Sequence, residues 1–566
     1  MPPVAAFFIG LTGVAGTVAA GSIGAYMAGV SASGFLFSTV LGRLVVGLVF
    51  SELSKVLSHH NTNHAPTGVS GTSTVGEDSP ESFILGRYAT AGWAVCPDMT
   101  HGTDGQTPNA YLTQVREVSG LPGCTLSRVM LGGSYVTLGA DDGSGYGRPV
   151  EGDLAGYAWV KFHDGTQTAA DPMLLAKYGA APARPWTPSM IGTGIAYAIV
   201  TLRFHQDKMS SVPQIVFEVN GASLYDPRKD STVGGSGTHR WGLPTTYEPT
   251  LNPEVMAYNV LRGITIGDDT WGGTCSAADL PLDDWFAAMN ACDALAVNAD
   301  TTTEPAWRAG LQITLDQQPM DIITALNATC SAEIAEVGGT FKPRVGGPGL
   351  PVYYFTDDDV IVSSPDDFTP FPGLDQTYNA VSASYPDPAS LWQSKSAPIR
   401  TNAAFEAEDQ GRRLPATLSL SACPFPNQVQ RLQTALLNDN RRFRQHNLVL
   451  PPDAAVLEPL DVVSWTSVLN GYDGKTFEVS QVADDQSSCL QSLTMRERDA
   501  ADYVWTADLY LPVTAAASTA VGFPTPQALA DWTVTGITIN DSLAIHRLPA
   551  LKVEWADPGT DDVKSI

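Results

Sequence analysis

The sequence predicts a mainly β, multidomain protein with α+β parts. Three observations carry that expectation. The 566 residues include 52 glycines and 40 prolines, far more turn-formers than a helical bundle tolerates. Beyond residue 80, short apolar runs alternate with turn signals, as strand, turn and strand do. Only a few segments combine helical periodicity with recognisable caps. At about 150 residues per domain the length corresponds to roughly four domains.

Charge narrows the function. Acidic residues number 59 against 32 basic ones, a net charge of −27, and charged residues make up 16% of the chain. Gripping nucleic acid requires clustered Lys and Arg, so that class is excluded. Global disorder is excluded by a hydrophobic content of 43%.

The first element is an apolar Gly/Ala-rich leader, residues 1–57. Residues 1–42 contain no charged side chain, and the first is Arg43. The run stays apolar through Leu44, Val45, Val46, Leu48, Val49 and Phe50, ending near Glu52 and Lys55. Such a stretch has the length and character of membrane-spanning or deeply buried helix. Phe7, Phe8, Phe35, Phe37, Val45, Val46 and Phe50 are its large apolar groups. Gly10, Gly13, Gly16, Gly21 and Gly24 recur at spacings that let helices approach closely. These twelve are the candidate site residues, as a membrane or plug segment. A cleaved signal peptide would start with basic residues and be shorter. A membrane anchor and a segment shielded inside an assembly both fit.

Residues 58–80 are a Ser/Thr/Gly/His-rich linker. His59, His60 and His64 have the spacing of a metal cluster, yet Asn61, Thr62, Asn63, Pro66 and Gly68 around them mark solvated chain. Residues 81–230 are β-rich, with a probable insertion and strands expected at 128–138, 156–163, 196–204 and 215–219. The last of these stops at Asn220-Gly221. Residues 231–345 form an α+β domain. Its first helix opens on the cap Asn252 and Pro253 and stops at Gly263. Helices are also expected at 283–294, with Trp285, Ala288, Met289 and Cys292 on one stripe, and at 320–334.

Residues 346–510 begin with a strand at 352–355 and a solvated turn, Asp357-Asp358-Asp359, which lacks the spaced ligands of a calcium loop. A helix at 428–443 points Val429, Leu432, Leu436 and Leu437 inward. It ends in Arg441, Arg442 and Arg444, the densest basic spot in the chain, which suits the negative end of a helix or a subunit contact. Strands at 448–450, 462–465, 476–482 and 492–496 make residues 446–500 a barrel-like block. Residues 511–566 are a linker followed by strands at 532–539 and 550–555.

The seven cysteines, Cys96, Cys124, Cys275, Cys292, Cys330, Cys423 and Cys489, are odd in number, widely spaced and form no CxxC. They read as buried free thiols. HExxH, GxSxG, P-loop and dinucleotide-binding patterns are absent in convincing form. The sequence therefore predicts no enzyme, no cofactor and no metal.

An ordered series of short motifs adds a resemblance. It runs Asp164-Gly165-Thr166-Gln167-Thr168-Ala169-Ala170-Asp171-Pro172, Gly194-Ile195-Ala196-Tyr197, Val216 to Gly221, Leu224-Tyr225-Asp226-Pro227-Arg228, Asn252-Pro253, Asp284-Trp285 and Cys292-Asp293. It continues with Tyr378-Asn379-Ala380-Val381, Gln430-Arg431-Leu432 and Glu458-Pro459-Leu460-Asp461-Val462-Val463. No single motif is specific. Their order over residues 80–510 resembles the tail-tip central hub of long-tailed bacteriophages, a family including lambda-type host-specificity (tip attachment) proteins and gene-transfer-agent hubs.

The resemblance implies a baseplate-hub fold with barrel-like tube domains. It implies a virion structural protein at the distal tip of the tail. A homotrimer would close the tail tube, anchor receptor-binding fibre parts and open for DNA ejection. Implied partners are the distal tail protein, other tip proteins, the tail tube, the tape-measure protein and a host surface receptor, met directly or through a downstream fibre. DNA would pass through the lumen without specific binding, repelled by carboxylates. The leader would sit inside the closed tip and reach the host membrane on opening. Exposing some 40 apolar residues per chain to water would cost tens of kcal/mol in a trimer at about 25 cal/mol per Å2. Leu551 to Trp555, Pro558 and Val563-Lys564 resemble the opening of a fibronectin type III domain, which needs about 90–100 residues; a longer protein, or a short hub with an extended tail, would follow. Two other classes remain: a membrane-anchored extracellular β-domain adhesin, and a tail-associated cell-wall hydrolase, for which no local signature is found.

Overall fold

The computed structural model describes residues 80–209, 211–363, 367–485 and 487–512, the backbone of strand Val46–Phe50, and the strands Thr533–Asn540 and Arg547–Glu554. The chain divides into two units, Met1–Val513 and Thr514–Ile566.

The larger unit starts from a β-sandwich. One sheet orders Gly310–Thr314, Ser82–Thr90, Ile215–Asn220, Thr125–Leu131 and Ser134–Val136, all antiparallel. The other orders Trp93–Ala94, Thr107–Ser119, Ala196–Arg203, Ala158–Asp164 and Arg148–Pro149, with Met99–Asp104 also paired to Thr107–Ser119. Side chains alternate across each strand. Ile84, Val129, Leu131, Ile215, Phe217 and Val219 therefore meet Val118, Val160, Ala198, Val200 and Leu202 in a dry core. The expected strand 128–138 is a hairpin, turned at Gly132-Gly133, both at positive φ.

Outside the sandwich, helix α1 (Pro172–Tyr178) lays Met173, Leu174 and Tyr178 on Val115, Tyr197 and Ile199. On the opposite side, Phe83 and Leu85 join a core built around α2 (Pro253–Arg262), α3 (Leu282–Asp293) and α4 (Pro319–Cys330). Helix α2 is bounded as its caps predict. Asn252 Oδ1 accepts from the N–H groups of Glu254 and Val255, and Gly263 ends it at φ +92°. Helix α4 ends four residues short of expectation, at Cys330. Ser331 takes a left-handed backbone, and Ala332–Val337 is a strand whose hairpin partner is Thr340–Val345.

Two further layers complete the unit. Helix α5 (Ala403–Glu408) is short, and α6 (Pro426–Asp439) buries Val429, Leu432, Leu436 and Leu437 against a four-stranded sheet centred on Ala380–Asp387. A nine-stranded sheet follows the order Thr340–Val345, Ala332–Val337, Val46–Phe50, Tyr472–Asp484, Gln491–Glu497, Gln445–Leu450 and Asp367–Thr369. Val462–Ser467 branches from Tyr472–Asp484 and pairs in parallel with Tyr353–Thr356. It wraps Phe355, Leu450, Val463, Trp465, Phe477 and Met495.

The expected barrels do not close: among the described residues there is no closed barrel. In the nine-stranded sheet, Tyr353–Thr356 is only four residues long and turns away at Asp357–Asp359. Ile361 returns a single backbone bond to Val449 before Asp367–Thr369 pairs with Gln445–Leu450. In the smaller unit, Thr533–Asn540 and Arg547–Glu554 form one antiparallel hairpin, and Val534, Ile539, Leu551 and Val553 on it are exposed.

One buried carboxylate clamps the sandwich to the four-stranded sheet. Glu218 is fully buried and accepts from Arg87 Nη2 at 2.5 Å, Arg128 Nη2 at 2.7 Å, Tyr135 OH at 3.0 Å and Trp392 Nε1 at 3.0 Å. Burial works against its charge, but the bonds from Arg128, Trp392 and Arg87 outweigh it and hold the carboxyl below its usual range. Glu218→Ala strands two guanidinium groups at this junction. Arg87 and Arg128 are 35% and 41% exposed and stay partly solvated, so the loss should be that of charge-assisted hydrogen bonds, about 1.5–3 kcal/mol, and thermal unfolding should start below that of the wild type.

Candidate assembly site

Ten of the twelve leader residues singled out above, Phe7, Phe8, Gly10, Gly13, Gly16, Gly21, Gly24, Phe35, Phe37 and Val45, lie outside the described residues, as do His59, His60 and His64. Val46 and Phe50 begin and end a strand rather than a helix. A stretch of Val, Leu and Phe has strand propensity once two sheet edges flank it. Among the described residues, no helix is long and apolar enough to cross a membrane.

The motif residues act as ties between segments. Asp171 caps α1 and pairs with Lys161 at 2.6 Å and His163 at 3.1 Å. Arg228 grips Asp226 at 2.8 Å and reaches Asp293 at 2.8 Å, so the Asp-Pro-Arg and Cys-Asp motifs meet. Asn379 donates to Asp409 and accepts from Leu414 N–H, while Gln430 bonds both the N–H and the C=O of Leu511. Arg431 joins Tyr510 and Glu304. Glu458 pairs with Lys342, and Asp461 caps the turn before it.

The basic spot after α6 is neutralised within the chain. Arg441 pairs with Glu408 and Asp409, Arg442 with Asp499 and Asp502, and Arg444 with Glu497. Arg442 and Arg444 line a recess of about 370 Å3 together with Lys475, whose Nζ lies 2.6 Å from Glu497, and all three of these cations are paired. This favours a structural junction over a phosphate site.

Beneath the recess runs a buried charged seam. Arg498 lies 3.2 Å from Glu333, 3.1 Å from Asp439 and 3.8 Å from Glu478. Arg344 bridges Glu333 at 3.0 Å and Glu478 at 3.1 Å, and Arg496 reaches Asp439 at 2.8 Å. Three cations and three carboxylates thus join the 332–345 hairpin, the end of α6 and the strands of the 445–497 block. Burial opposes ionisation of Glu333, but Arg498 and Arg344 hold its carboxyl down to about 2. Burial prevails at Glu478, whose carboxyl is pushed up.

The described residues show no group of three or more His, Cys, Asp or Glu side chains placed to hold a metal. The Asp357–Asp359 run is a capped turn. Asp359 accepts from Thr356, and Asp357 Oδ2 accepts from the N–H groups of Val468 at 2.8 Å and Leu469 at 3.2 Å. This holds a hairpin tip that points two apolar side chains into solvent, Val468 and Leu469, 91% and 88% exposed. Leu350, Tyr354, Val362 and Phe371 are also exposed.

The same region is where a known family matches. Residues 318–482, from α4 through most of the nine-stranded sheet, match the family described as "Putative phage tail protein". Among solved structures, a chain of the "Virion of native gene transfer agent (GTA) particle" is similar with a TM-score of 0.52 and 16% identity, over 86% of this chain and 98% of that chain. At that identity the likeness is one of fold. The 43 kDa tail protein of prophage MuSo2 from Shewanella oneidensis is 10% identical, over 74% of this chain and 99% of that chain, at a TM-score of 0.27. No curated protein matches. The family match over residues 318–482 and the likeness in fold to the gene transfer agent chain support a structural component of a phage tail.

Two outcomes test the site. Arg498→Met leaves Glu333, Asp439 and Glu478 short of a cation, and urea denaturation should show a loss of about 3–5 kcal/mol. His446, buried in the 445–497 block against Phe368 and Tyr472, is pushed down to about 4 by burial and then by Arg444. A folded value below the unfolded value of about 6.5 means stability is lost as pH falls from about 6.5 to 4, by up to about 1.4 kcal/mol per pH unit. His446→Phe should flatten that part of the pH–stability curve.

Proposed function

We propose that the chain is a subunit of a tail-tip hub. Three copies close the end of the tail tube, carry receptor-binding fibre parts and open for DNA ejection. The similarity over 86% of this chain and 98% of a chain from a gene transfer agent virion carries this reading. The ordered motifs from residue 164 to residue 463 point the same way. The exposed apolar groups between Leu350 and Leu469 supply surface for contact between subunits and with the tube. The excess of acidic residues suits a lumen through which DNA slides without sticking. The apolar leader is held within the tip and passes to the host envelope when the tip opens. The 533–554 hairpin is read as the start of a fibronectin type III-like domain towards the fibre.

Immunogold labelling and quantitative mass spectrometry of purified particles test the hub. The expected result is label at the distal tip and three copies per particle. Fractionation with cell membranes and absence from particles would instead establish a membrane-anchored adhesin. For the leader, deletion of residues 1–45, which spares strand Val46–Phe50, should leave particles assembled but abolish DNA delivery, and a 1–57 peptide should release dye from liposomes. Intact delivery together with no leakage removes the leader from the mechanism.

A further inference from the structure

Strand Val46–Phe50 fills a slot one strand wide. On one side it runs antiparallel to Ala332–Val337, with Leu48 opposite Glu336, Val49 opposite Ala335 and Phe50 opposite Ile334. On the other it runs antiparallel to Tyr472–Asp484, with Val46 opposite Ala483 and Leu48 opposite Gln481. The other sheet neighbour of Ala332–Val337 is its own hairpin partner, Thr340–Val345. Among the described strands, the 332–345 hairpin is therefore joined to the 445–497 block by backbone pairing through this strand alone. Side chains join them elsewhere, at the buried seam of Glu333, Arg344, Glu478 and Arg498.

Strands in a sheet lie about 4.8 Å apart, so the two flanking edges stand roughly two spacings, or about 10 Å, from one another. Without the inserted strand they are too distant to bond each other. Two facing rows of N–H and C=O groups would then be left open, which is a template for an extended chain. The occupant comes from the last part of the leader, between its uncharged run and the linker.

We propose that this slot is a strand-accepting site for the chain's own leader, and that Val46–Phe50 is a latch fixing the leader to the body. Its specificity is for an extended backbone of about five residues, supplied in cis. Three residues paired on each side, with Leu48 paired on both, restrain the leader while remaining few enough to be displaced. The latch deepens the reading in which the leader is held until delivery, but it stands on strand pairing and not on membrane insertion.

The test uses the full-length chain. Leu48→Pro removes a backbone donor and introduces a ring in the middle of the strand, whereas Leu48→Val keeps a strand-forming residue. Hydrogen–deuterium exchange should show those amides of 334–336 and 481–483 that face the inserted strand exchanging at least ten-fold faster in Leu48→Pro. Those of 380–387 should be unchanged, and Leu48→Val should match the wild type. Equal protection in Leu48→Pro and wild type overturns the latch. A second variant, Val49→Cys with Ala335→Cys, covers the case in which the proline blocks folding. Mild oxidation should link residues 49 and 335 within one chain, as mapped by peptide mass spectrometry. A link found only between two copies, or none, overturns the cis latch. Neither readout depends on liposome leakage or DNA delivery, so the latch and the membrane role of the leader fail separately.

Discussion

The layers of the larger unit are bound by a small number of charges that cannot be exposed singly. Arg498, Arg344 and Arg496 share Glu333, Glu478 and Asp439 across three layers. Apolar contacts between layers tolerate sliding, because one methyl group replaces another at little cost. A carboxylate between two guanidinium groups has one satisfactory position, and displacement leaves an uncompensated charge in a dry junction. Glu218 does the same for the sandwich and the loop bearing Trp392. Both junctions fix relative position, which a component of an assembly needs more than it needs extra stability.

Much of this architecture is legible in the sequence where the deciding signals are local. Asn252, Pro253 and Gly263 bound α2, and the apolar stripe of α6 points inward as expected, onto the sheet centred on Ala380–Asp387. The strands at 196–204 and 215–219 stand within a residue of their expected ends. Illegible features depend on distant segments. Gly310–Thr314 completes a sheet with Ser82–Thr90, and no local pattern encodes that pairing. Helix α4 was overextended because Ala332, Ile334 and Ala335 continue an apolar rhythm that Ser331 interrupts by backbone conformation alone. Arg441, Arg442 and Arg444 look like a cationic patch only when the carboxylates that meet them, from Glu408 to Asp502, are out of view.

The same distinction applies to the motifs. Asp171, Arg228, Asn379, Gln430 and Arg431 are spread through the chain, yet each bonds a backbone or a charge in another segment. The resemblance to tail hubs was thus carried by residues that hold the scaffold in shape. The surfaces by which such a scaffold meets its neighbours, such as Val362, Phe371 and the 468–469 tip, carry no motif that a sequence reader would single out.

The tip at Val468 and Leu469 has a consequence for how contacts form. Its two backbone N–H groups are already bound by Asp357, so the loop has surrendered much of its conformational entropy before anything touches it. A flexible loop must be ordered on docking, and part of the contact energy is lost to that ordering. A tip stiffened in advance loses less. Two aliphatic side chains can then suffice for a contact that would otherwise need a wider surface, and small contacts of this kind form and part readily.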